Sequence, residues 1–276
     1  MRISFSNIAW DTAEDEAVAQ VLRDQGVDAI DIAPAKYFPR NDTVTDKDIA
    51  AVRDWWGARG IAIVGMQALM FGTTGLNMFG TDESRSAMLG HLASICRIGS
   101  RLGATKLVFG SPRNRDRSEW EVHAAKDRAV SFFRTLGDIA QTHGVEICLE
   151  PNPPSYGANF MIDSTETAHI VNIVSHPAIR MQLDTGAMFI NGECAPEVIA
   201  QNAHLIGHIH ASEPQLSPLG DPGTDHRGIR EALVKYLPNH ILTIEMLATN
   251  NEPHLAAIQR ALAFAKSTYQ VQQGSI

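Results

Sequence analysis

The chain has 276 residues, 44% of them hydrophobic and 20% charged, which excludes a disordered or fibrous protein and allows a large core. A formal net charge of -8 argues against nucleic acid as a partner, because phosphate contacts need a basic face. Three cysteines with no CxxC pair argue against a disulfide framework; with no signal-peptide pattern and no apolar run long enough for a membrane span, the expected setting is cytoplasmic.

Short apolar runs recur along the chain at Ile3–Phe5, Ala29–Ile32, Ala62–Met66, Lys106–Phe109, Val145–Leu149, Arg180–Leu183, Ile206–Ile209 and Ile241–Ile244. Their length and β-branched content suit buried parallel strands. Helical patterns lie between them. Thr12–Asp15 and Thr45–Asp48 read as capping boxes with Asp in place of Glu. Gly26, Gly60, Gly103 and Gly144 each end a helical stretch and precede a strand, where a left-handed cap favours glycine. Helix, glycine, strand is a βα unit written several times. Eight strands predict one (β/α)8 TIM barrel, parallel and eight-stranded, over residues 1–266, with a polar tail at 267–276. An open doubly wound sheet is disfavoured, because no glycine-rich phosphate loop follows the first run.

The last four runs each end in one side chain able to hold a metal: Glu150, Asp184, His210 and Glu245. In a barrel, the carboxyl ends of successive strands surround one mouth. Strand alternation places Cys148, Gln182, His208 and Thr243 on the same inward faces, so the lumen below is small and polar. Three carboxylates brought together repel unless a cation sits among them. Three carboxylates and one imidazole favour Mn, Mg or Co over a structural zinc, with Mn preferred.

The pieces LEPNP at 149–153, QLDTG at 182–186, HIHASEP at 208–214 and IEM at 244–246 carry a resemblance. They resemble the xylose-isomerase-like barrel superfamily of sugar isomerases and epimerases, which includes D-tagatose 3-epimerase and inositol-catabolism isomerases. The resemblance spans essentially the whole chain and implies a metal-dependent sugar or sugar-phosphate isomerase or epimerase. It implies that the metal binds neighbouring oxygens of an open-chain sugar and stabilises a cis-enediolate. Glu150 and Glu245 then act as an acid/base pair on opposite sides of the carbon chain. A homo-oligomer is also implied. A lyase using the same proton abstraction, and a non-catalytic binding barrel, are the alternatives. The chain departs from the epimerase pattern at Ala187 and Tyr156, where those enzymes carry His and an acidic residue, so their substrate is not carried over. Ala187 also argues against the three-metal DNA-repair members.

Further residues are candidates for substrate contact. Asn152 lies in the LEPNP piece. His226 either meets a substrate hydroxyl or starts a helix, and Glu213 either binds near the metal or shapes the turn before Pro214. Arg113 and Arg115 either hold an anionic substrate or form a solvated charge run. Trp10 and the Tyr37-Phe38 pair either wall the sugar or pack internally. Residues 71–80, with three glycines, read as a mobile lid or an oligomer contact.

Overall fold

All eight apolar runs become strands in the computed structural model, which describes residues 1–270. They are β1 (Arg2–Ser6), β2 (Ala29–Ile32), β3 (Ala62–Met66), β4 (Lys106–Phe109), β5 (Glu146–Leu149), β6 (Ile179–Asp184), β7 (Ile206–Ser212) and β8 (Ile241–Glu245). The sheet is parallel throughout and closes on itself, with β1 paired to β8 from Arg2↔Ile241 to Phe5↔Ile244. The described helices are α1 (Asp15–Asp24), α2 (Asp46–Gly57), α3 (Asp82–Leu102), α4 (Val122–Thr142), α5 (Ser164–Val174), α6 (Thr185–Asn191), α7 (Ala195–Asn202), α8 (Arg227–Tyr236) and α9 (His254–Tyr269).

Local chemistry sets the boundaries. The box at Thr45 forms as read: Thr45 Oγ1 accepts from Asp48 N at 3.2 Å, and Asp48 Oδ2 accepts from Thr45 N at 3.0 Å. The box before α1 sits one residue earlier than Thr12, with Glu14 Oε2 accepting from Asp11 N at 3.0 Å. Gly103 caps α3 at φ +85°, a conformation that costs other residues energy. The expected tail boundary moves. Residues 267–269 belong to α9, because Tyr269 is fully buried in the core, and 271–276 lie outside the described residues.

Alternation along each strand separates two environments. Ile147, Leu149, Met181, Leu183, Ile209, Leu242 and Ile244 are all fully buried in the continuous apolar core. Ser4, Asp31, Gln182, His210 and Thr243 are fully buried too, but polar. The register sets Ser4 beside Thr243 and Thr243 beside His210, a level of polar side chains inside the barrel. No helix among the described residues is long and apolar enough to cross a membrane.

Candidate metal centre

Each candidate ligand is placed by the strand it ends. Glu150 follows β5 directly, and its N–H donates to Phe109 O at 3.1 Å, extending the sheet. Asp184 is the last residue of β6 and caps α6: its Oδ1 accepts from Ala187 N at 2.7 Å, and its Oδ2 from Ser212 Oγ at 3.0 Å. His210 is fully buried within β7. Glu245 ends β8 and accepts a short hydrogen bond from Gln67 Nε2.

One ligand atom from each of Glu150, Asp184, His210 and Glu245 lies within 4.8 Å of the others. His210 Nδ1 is 3.2 Å from Glu245 Oε2, 3.5 Å from Glu150 Oε1 and 3.9 Å from Asp184 Oδ2. Ligand atoms that share one cation stand about 3–4 Å apart, since each is roughly 2.1 Å from it. The spacing and the oxygen-rich donor set therefore fit a divalent ion.

Charge gives a second test of that fit. Burial, then the Glu245 and Glu150 carboxylates, push Asp184 well above the usual carboxylate range. Burial disfavours the charged form of His210, but Glu245, Asp31 and Glu150 outweigh it and hold its protonation well up. Burial also acts against a charged Glu245, which His210 and Gln67 nonetheless keep below the usual range. By themselves, these side chains relieve their crowding by retaining protons, and a cation would do the same work. Binding it must expel those protons. Affinity for Mn should therefore rise with pH and weaken as pH falls. Calorimetric titrations in buffers of differing ionisation enthalpy will show this, and a flat affinity between about pH 5 and 8 would refute it.

The residues expected at the substrate divide. Asn152 is close to the centre, its Nδ2 donating to Glu150 Oε2 at 3.1 Å. Arg115 is not an open anion anchor. It is fully buried, donating to Glu150 O at 2.7 Å and to Asn152 Oδ1 at 2.6 Å, so its guanidinium holds the end of β5 in place. Arg113 is exposed. Trp10 cannot wall a sugar: it is fully buried, donates to Asp15 at 2.7 Å and packs edge-on against Phe5 and Trp56. His226 and Glu213 are also buried, 3.2 Å apart, with Tyr269 and Thr224 completing their hydrogen bonds. They bind each other and α9, which consumes the atoms a substrate would need. The 71–80 segment divides in exposure. Phe71 is 75% exposed, whereas Met78 and Phe79 are buried, and Asn114 anchors this half by donating to Leu76 O at 2.7 Å.

Sequence reading missed Asp31, Gln67 and Ser212, which all touch the centre or its ligands. Asp31 alone left a signal, a charged residue inside the apolar run Ala29–Ile32.

The chain is a closed parallel TIM barrel with an acidic, histidine-bearing candidate metal cluster at the carboxyl end of its strands. The family model described as xylose isomerase-like TIM barrel matches residues 19–268, and the chain belongs to that family. A comparison with curated protein sequences finds no match. Among solved structures, the chain is similar to D-psicose 3-epimerase from Clostridium cellulolyticum, at 18% identity and TM-score 0.82, covering 98% of this chain and 100% of that one. It is similar to 3-keto-D-glucoside 4-epimerase from E. coli, at 16% identity and TM-score 0.79, covering 97% and 99%. It is also similar to the IOLI protein with a bound zinc atom, at 18% identity and TM-score 0.75, covering 98% of each.

Proposed function

We propose that the protein is a metal-dependent sugar isomerase or epimerase that works through a cis-enediolate. The observation that carries this is the convergence of Glu150, Asp184, His210 and Glu245 on one small volume. When bound, a divalent cation would supply Lewis acidity that makes the carbon-bound hydrogen beside a carbonyl acidic. Mn is the metal preferred by the donor set. Glu150 follows β5 and Glu245 ends β8, and His210 Nδ1 is 3.5 Å from the first and 3.2 Å from the second. One carboxylate removes the proton, and the other, protonated, returns one. Return to the same carbon inverts it, and return to its neighbour moves the carbonyl. Asn152 and Gln67 orient these two carboxylates through the hydrogen bonds described above. Arg115 is committed to the end of β5, so it is not the anchor of a substrate phosphate. The neighbours named as sugar epimerases support this reading.

Incubation with Mn and a panel of ketohexoses in deuterated water tests it. Deuterium incorporated into a sugar of unchanged formula is the expected result. Loss of water would assign a lyase instead, and absence of any exchange would sink both.

A further inference from the structure

Directly beneath the ligands lies a cluster that the proposed reaction does not use. Asp31, on β2, is fully buried in the lumen. Its Oδ2 accepts from His208 Nε2 at 2.5 Å and stands 3.7 Å from His210 Nε2. His210 Nε2 and Asp31 Oδ1 are both buried without a hydrogen-bond partner. The backbone is shaped for this carboxylate. The β2–β3 register shifts between Ile30 and Asp31, and a Cβ on Gly65 would lie 2.6 Å from Asp31 Oδ1. An ionised carboxylate is costly to bury, so this one needs a purpose or a close partner.

Asp31, His208 and His210 also meet the distance criterion for a metal group of their own. The spacing rejects it. Two atoms on one ion stand about 3 Å or more apart, and His208 Nε2 and Asp31 Oδ2 are at hydrogen-bond distance instead. His208 therefore tethers Asp31, and the remaining neighbour is His210.

We propose that Asp31 is the positioning residue of the metal centre. It keeps the His210 ring proton on Nε2, which leaves Nδ1 as the lone-pair donor facing Glu150, Asp184 and Glu245. The carboxylate behind a metal-binding imidazole has this effect generally: it fixes tautomer and ring orientation and raises basicity. At 3.7 Å the pair is longer than a direct hydrogen bond, so charge is what acts across it. His210 then presents one chemically defined atom to the cation instead of a choice of two. The inference rests on the metal centre proposed above.

The test is calorimetric titration of manganese chloride into metal-free wild type, Asp31→Asn, Asp31→Ser and Asp31→Glu. Asparagine and serine should weaken Mn binding by about 10–100-fold. Thermal melting of the metal-free Asn and Ser variants should fall, because His208 loses its buried partner, so Mn affinity is compared only at temperatures where each variant is folded. Asp31→Glu restores the charge and should recover part of the affinity, which a purely packing role would not give, as Glu is the worse fit. Cobalt-loaded Asp31→Asn should show visible bands altered from wild type, reporting a changed donor. A folded Asn or Ser variant that binds Mn within about twofold of wild type overturns the proposal. Wild type that binds no Mn is a separate outcome: it refutes the metal centre, and this inference with it.

Discussion

Glu150→Gln and Glu245→Gln should each lower turnover of the responsive sugar by about a thousandfold or more. The amide keeps the size of the side chain but can neither take nor give the proton, and it is a poorer ligand for a hard cation. Deuterium exchange separates the two effects. If the metal is retained, each variant should still exchange the hydrogen that faces its remaining carboxylate, without net conversion. Stability gives the control. Asp184 is pushed upward in part by the Glu150 charge, so neutralising Glu150 relieves repulsion and metal-free Glu150→Gln should melt no lower than wild type. Metal-free Glu245→Gln should melt lower, because His210 and Gln67 favour the charged Glu245. A variant that keeps more than about a tenth of wild-type turnover removes Glu150 or Glu245 from the chemistry.

Gly110→Ala should disable the site almost as completely without touching a ligand. An added Cβ would lie 1.8 Å from Glu150 Oε2 and 2.7 Å from its Cδ. No pair of atoms tolerates that approach, so the carboxylate must swing away. Asn152 and Arg115 resist the swing, because they tie Glu150 from its side chain and its carbonyl. The expected result is a loss of Mn affinity of more than about tenfold, with activity falling further because a displaced base is also misaimed. The barrel should survive, since Gly110 follows β4 and lies outside its ladder. Wild-type Mn affinity in a folded Gly110→Ala protein would show that Glu150 does not bind the ion.

The parts that sequence disclosed are those governed by periodicity. Apolar runs named the strands, and in a barrel a strand end has one possible destination, so residues 150, 184, 210 and 245 could be grouped before any coordinates. Loops follow no such rule. Trp10 lies just past β1, yet it turns into the core to meet Asp15. His226 and Glu213 bracket a loop long enough to fold back on itself, and their partner Tyr269 was set aside as tail. Arg115 read as a free cation because sequence does not reveal which backbone carbonyl a guanidinium will find. Gln67 sits one residue beyond β3, where alternation has ended but the side chain still reaches Glu245. Asp31 was discernible in principle. A charge within a buried run must have a partner, but that partner is 177 residues away in sequence.

All four candidate ligands belong to the second half of the barrel, while Asp31 and Gln67, which brace two of them, belong to the first. During synthesis on the ribosome, β1 to β4 emerge carrying braces for atoms that do not yet exist. The proposed ion would find its full ligand set only after β8 has been made and has zipped against β1. Its loading would then be a late event in the life of the chain, and a divalent cation would not rescue a nascent protein stalled before its final strand.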